Sequence, residues 1–147
     1  WIQPGHWLTS DMQKANEDAA ALYASWEKDV QVEEYRLEDA EVVLTAYGIS
    51  ARICKSAVEL LRAQGIKAGL IRPLTVHPFP YAAYDHIDYS KVKAVLDVEM
   101  SIPAQFVDDV AAAVKDRCPI ETCLCSGGNI MSRDKVLAAV KKIMEGK

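Results

Sequence analysis

The sequence predicts an α/β fold, a three-layer α/β/α arrangement around a mainly parallel sheet. Three observations carry this. Short apolar runs alternate with amphipathic helical stretches from residue 41 to the end. The runs are apolar nearly throughout, as strands covered on both faces are. The chain has 147 residues, half of them hydrophobic and 26% charged, which suffices for one core without a disulfide or a structural metal.

Residues 1–10 hold Pro4, Gly5 and two tryptophans without periodicity and read as a loop. The chain opens on Trp1 and reads as a piece of a longer protein, its first stretch a severed linker. Ala15, Ala19, Leu22, Tyr23, Trp26 and Val30 then recur at steps of three and four. This predicts a long amphipathic helix over 11–34, with Ser10 or Asp11 as N-cap. Residues 1–35 thus form a linker and connecting helix, and 36–147 the domain proper. The helix is expected to lie at an edge, partly exposed, with a missing domain or a second copy of the fragment as its cover.

Glu41–Tyr47 is the first strand run and ends at Gly48. Ile53, Cys54, Ala57, Val58 and Leu61 mark a helix face, with Ser50 as its cap and Gly65 after it. Lys67–Ile71 is the second strand, stopped by Pro73, and Lys93–Val98 the third. Between them, residues 74–89 carry Pro78, Pro80, four aromatics and two histidines, with one short helix near Tyr81–His86. Phe106, Val107, Val110 and Val114 line a helix with Pro103 suited to its first turn. Ile120–Leu124 is the fourth strand, and a helix through Val136, Val140 and Ile143 closes the chain, capped by Ser132. At least four parallel strands are expected, in the order of the runs at 41, 67, 93 and 120.

Charge and hydropathy narrow the function. The net charge is −4, without the basic footprint of a nucleic-acid binder. No run of ~18 apolar residues offers a membrane span. Cys54, Cys118, Cys123 and Cys125 do not form a secreted-type framework, so a reducing, cytoplasmic setting is expected. Cys118, Cys123 and Cys125 also lack the paired spacing of a zinc site. Cys54 reads as a small core residue.

In an open parallel sheet, ligands gather beyond the carboxyl ends of the strands. The first such loop holds Gly48, Ser50 and Arg52 at the start of a helix. It reads either as a tight strand-to-helix turn with a surface arginine or as an anion site for a nucleotide or coenzyme A diphosphate. It lacks the full glycine fingerprint and the acidic residue that grips a ribose. His86 sits between Asp85 and Asp88, which favour its charged form if they are close. Gly127-Gly128-Asn129 reads either as a turn needing positive φ or as a contact surface. No nucleophile elbow, P-loop or zinc-protease motif is present.

Ala46-Tyr-Gly-Ile-Ser-Ala-Arg-Ile53, Gly65-Ile-Lys-Ala-Gly-Leu-Ile-Arg-Pro-Leu-Thr75 with Pro78-Phe79-Pro80, Val98-Glu99-Met100 and Gln105 together resemble the transketolase C-terminal-like domain of 2-oxoacid:ferredoxin oxidoreductases. With Gly127-Gly-Asn-Ile130, the first string resembles the alpha subunit of the 2-ketoisovalerate type. The pyruvate and 2-oxoglutarate types are the nearest alternatives. Ala104 before Gln105, and His77 in place of an aromatic, depart from the family pattern.

The resemblance implies an enzyme that oxidatively decarboxylates a 2-oxoacid, forms an acyl-CoA and reduces ferredoxin. It implies thiamine diphosphate, magnesium and iron–sulfur clusters in the parent complex, held largely by beta and ferredoxin-like subunits. The fragment itself is expected to hold no cofactor, to be inactive alone and to serve assembly. Arg72, His77, Phe79, Glu99 and Gln105 are the candidates for a contact surface with those subunits. The plain alternative is a surface pair between Arg72 and Glu99.

Overall fold

The structure, a computed structural model, describes residue 5 and residues 8–146. Its centre is a five-stranded sheet: β1 (Val32–Tyr35), β2 (Val42–Thr45), β3 (Ala68–Pro73), β4 (Val95–Glu99) and β5 (Ile120–Leu124). The spatial order is β1-β3-β2-β4-β5. β2, β3, β4 and β5 are parallel, and β1 runs antiparallel along β3.

The expected strand order is therefore corrected. The run at 41 stands between those at 67 and 93, because the chain leaves β2 towards β3 and then crosses back over β2 to β4. Helices α2 (Gly48–Ala63) and α4 (Arg133–Glu145) cover one face. Helix α3 (Val107–Val114) and a 3-10 turn over Tyr81–His86 cover the other.

Strand alternation divides the core between the faces. Val42, Leu44, Leu70, Leu96 and Val98 meet Cys54, Val58, Leu61, Val136 and Val140 under α2 and α4. Val43, Ile71 and Val95 meet Phe79, Tyr84, Phe106, Val110 and Val114 on the opposite face. Gly69 lets β3 approach the loop between β1 and β2, since a Cβ there would lie 2.8 Å from the Arg36 carbonyl oxygen.

The long helix expected over 11–34 is shorter. α1 spans Thr9–Ser25, a 3-10 turn follows over Trp26–Asp29, and the chain then extends into β1. Ser10 and Asp11 lie inside the first turn, with Leu8 at the N-cap position. Val32–Tyr35, most of which the expected helix takes in, is a strand instead, its state fixed by cross-strand pairing with β3. No residue of α1 is buried, in keeping with an exposed edge helix.

Two cap assignments also change. α2 starts at Gly48 with Tyr47 at its N-cap, so Ser50 sits within the first turn. Pro103 precedes α3 by four residues, after one of two cis peptide bonds, the other being His77–Pro78. Ser132 caps α4 as expected, its hydroxyl accepting the Lys135 N–H at 3.2 Å. The 1–10 loop falls mostly outside the described residues, as do Trp1, His6 and Trp7. Among the described residues, no helix is long and apolar enough to cross a membrane.

Candidate functional site

The crossing order places a switch point between β2 and β4. The connection from β2 departs towards β3 on the α2 face, and that from β4 departs towards β5 on the α3 face. Divergent connections open a crevice beyond the strand ends. A cavity of about 190 Å³ lies there, lined by Tyr47–Ser50, Val98–Ser101 and Gln105. Gly48 makes its turn at φ +58°, and a Cβ there would meet nothing within 4 Å, so backbone conformation rather than space favours glycine.

Glu99 forms the floor and is 1% exposed. Its Oε1 accepts the Gln105 N–H at 2.9 Å, and both its oxygens accept the Phe106 N–H at 3.2 Å. The Ser101 hydroxyl donates to Oε2. Burial works to raise the Glu99 pKa, but these bonds and the Asp97 carboxyl outweigh it and hold the group below its ordinary value. The carboxylate also faces the N-terminal end of α3, where helix N–H groups lack internal partners.

Asp97 lies two residues earlier on the same face of β4, is fully buried, and has no donor to either oxygen. Burial and the neighbouring Glu99 push its pKa up to about 8. The motifs and spacings of the sequence do not single it out. Its one signal there is a lone acid inside a strand run apolar enough to be covered on both faces.

An aromatic series runs inward from the crevice. Tyr47 meets Phe106 at 5.0 Å between centroids, Phe106 meets Phe79 at 5.7 Å, and Phe79 stacks on Tyr84 at 5.6 Å. The Tyr84 hydroxyl shares a 2.6 Å hydrogen bond with Thr45 Oγ1. A second, wider groove of about 590 Å³ lies between α1 and the Val76–Ala82 loop. There His77 packs edge-on against Tyr23 and Trp26.

The sequence candidates part company. Gly48, Ser50, Glu99 and Gln105 meet at the crevice, whereas Arg52 is exposed on α2 and does not line it. A buried carboxylate in place of a cation makes the crevice a poor diphosphate site. Phe79 and Glu99 are interior rather than displayed, while His77 and Gln105 are exposed. Arg72 and Glu99 do not pair: Arg72 bonds Glu33 at 3.1 Å. His86 faces Glu34 at 2.8 Å, and Asp85 and Asp88 are engaged by Arg117 and Lys91.

Cys54, Cys123 and Cys125 are buried under α2 and α4, where burial raises the thiols of Cys54 and Cys123, and Cys118 packs on the opposite face. Among the described residues, no three His, Cys, Asp or Glu side chains gather as a metal site.

The family described as pyruvate:ferredoxin oxidoreductase core domain II matches residues 40–136. Ketoisovalerate oxidoreductase subunit VorB of Methanothermobacter marburgensis is 41% identical over 117 residues, covering 80% of this chain and 32% of that protein. The chain thus spans about a third of the length of this curated relative. Among solved structures, a 2-oxoglutarate:ferredoxin oxidoreductase from Magnetococcus marinus superposes with a TM-score of 0.73 at 20% identity, over 95% of this chain and 24% of that one. A split-gene transketolase superposes at 0.62 and 20% identity, over 77% of this chain and 41% of that one.

Proposed function

Because this chain belongs to the family of pyruvate:ferredoxin oxidoreductase core domain II, we propose that it is a docking domain in the alpha subunit of a 2-oxoacid:ferredoxin oxidoreductase of the 2-ketoisovalerate type. The similarity to a ketoisovalerate oxidoreductase subunit supports the substrate class. In this reading residues 1–35 lead in from a further domain of the parent, residues 36–147 dock, and the setting is cytoplasmic.

The observation that carries docking is the apolar trim of the strand ends. Tyr47 and Ile49 follow β2, Leu74 and Val76 follow β3, Met100 and Ile102 follow β4, and Ile130 follows β5, all well exposed. Only five other large hydrophobics are as exposed among the described residues: Leu8, Met12, Leu22 and Tyr23 in or beside α1, and Tyr81. Exposed apolar surface gathered at one edge marks an interaction face. The partners proposed for it are the beta and ferredoxin-like subunits, with ferredoxin and coenzyme A acting at the level of the whole complex.

Thiamine diphosphate with magnesium would supply the decarboxylation chemistry in that complex, and iron–sulfur clusters the electron path. The residues of this domain do not fit either group. Glu99 has its oxygens occupied by Gln105, Phe106 and Ser101, Asp97 is sealed in the core, and the cysteines are split between two faces. In this reading the domain's own side chains shape a contact and exclude water from it.

The test is Ile49→Asp with Ile102→Asp in the whole alpha subunit, co-expressed with the beta subunit. Docking requires loss of co-purification with an unchanged circular dichroism spectrum. Intact assembly would defeat the reading. A dialysed sample carrying stoichiometric nucleotide would favour a nucleotide- or coenzyme A-binding domain instead.

A further inference from the structure

We propose that Asp97 is a positioning residue that keeps its carboxyl proton inside the fold and donates it to Glu99, so that a single proton governs the hold of Glu99 on the 101–106 loop. This goes beyond docking and does not rest on it. The loop forms one wall of the switch-point crevice, whatever occupies that crevice.

Residues 97 and 99 share one face of β4 because side chains alternate along a strand. Asp97 is 0% exposed and Glu99 1%, so neither carboxyl reaches water. Two adjacent buried carboxylates do not both carry charge, since like charges in low dielectric repel strongly. The donors decide which one is ionised. Glu99 receives the Gln105 and Phe106 N–H groups and the Ser101 hydroxyl. Asp97 receives none. The negative charge therefore resides on Glu99 and the proton on Asp97, where it turns one of two otherwise unpartnered oxygens into a donor.

The surroundings of Asp97 agree. From β2, the flanking Thr45 hydroxyl is committed to Tyr84 of the 3-10 turn. Asp109 of α3 acts on the same Tyr84, and adds negative rather than positive charge. Cys54 of α2 and Cys123 of β5 are the ionisable groups that feel Asp97 from the opposite side of the sheet, and burial keeps both as thiols. The group that acts on Asp97 most directly is Glu99, and no cation is among its influences. Loss of the Asp97 proton would place two charges side by side, and Glu99 is the one tethered to a loop.

The experiment follows two signals in the chain. One is the Asp97 carboxyl carbon, followed by carbon-13 NMR. The other is the hydrogen-exchange protection of the Gln105 and Phe106 amides, corrected for intrinsic exchange. The carboxyl should titrate above about pH 7, and protection should fall about tenfold for each pH unit beyond that midpoint. Asp97→Asn, which keeps a neutral donor, should leave protection flat with pH. A carboxyl titrating below about pH 5 overturns the proposal. An undiminished pH profile in Asp97→Asn overturns it equally. Should that variant not fold, the unsubstituted chain decides: coincident midpoints for carboxyl and amides uphold the proposal, and separate midpoints sink it.

Discussion

Arg72 and Glu33 are direct cross-strand partners on the antiparallel β1–β3 ladder, with Nη1 3.1 Å from Oε2. Lys55 of α2 bonds the same carboxylate from above. Hydrogen bonding from Lys55, opposed by burial and helped by Arg72, holds the Glu33 carboxyl below its ordinary value. Arg72 thus fastens β1 to the sheet, while Lys55 fastens β1 to α2.

Arg72→Ala should therefore act first on β1. The expected loss is about 1 kcal/mol, the scale of a partly exposed ion pair with one cross-strand contact. Hydrogen exchange should quicken at Val32–Tyr35 before it does at Val42–Thr45. Uniform quickening across the sheet would contradict this.

Gly69→Ala should cost about 1–3 kcal/mol, because overpacking forces backbone to move. Its Cβ would meet the Arg36 carbonyl oxygen at 2.8 Å and Leu37 Cδ2 at 2.9 Å. Urea denaturation measures the cost, and a change under about 0.5 kcal/mol would show that the 36–40 loop yields freely.

Tyr84→Phe leaves the buried Thr45 hydroxyl without its 2.6 Å partner. The expected penalty is about 1–3 kcal/mol. Adding Thr45→Val removes the orphaned hydroxyl, so the double variant should regain part of that loss. Simple additivity in thermal unfolding would speak against the bond.

Stability should decline as pH rises from about 4 to about 8. In the unfolded chain Asp97 releases its proton near the ordinary carboxyl value, while burial holds the folded value at about 8. Across that interval the folded state binds more protons, so its advantage is complete below the interval and gone above it. Glu33 and Glu99 work in the opposite sense, with folded values depressed, and weaken the fold in acid below about pH 4. Urea midpoints between pH 4 and 9 should fall in the unsubstituted chain and stay nearly level in Asp97→Asn.

The layered fold, four of the five strands and the family are legible in the residues alone. Apolar runs such as Val42–Leu44 and Val95–Leu96 can be stable only when covered on both faces, and that requirement is local. The same reading leads to the strand-end loops, since Gly48 and Ser50 do meet Glu99 and Gln105 at the crevice. Contacts between distant parts of the chain settle the rest. Val32–Tyr35 is a strand because β3 offers it unpaired backbone groups and Arg72. The order that seats β2 between β3 and β4, and so locates the crevice, is a matter of which strands pair across long loops. Phe79 is interior against Phe106, and Arg72 bonds Glu33, through partners distant in the chain, whereas Glu99 is held by the nearby 101–106 loop. Periodicity records which face of its own element a residue occupies. Strand pairing and burial depend on neighbours dozens of residues away, whose positions no local pattern encodes.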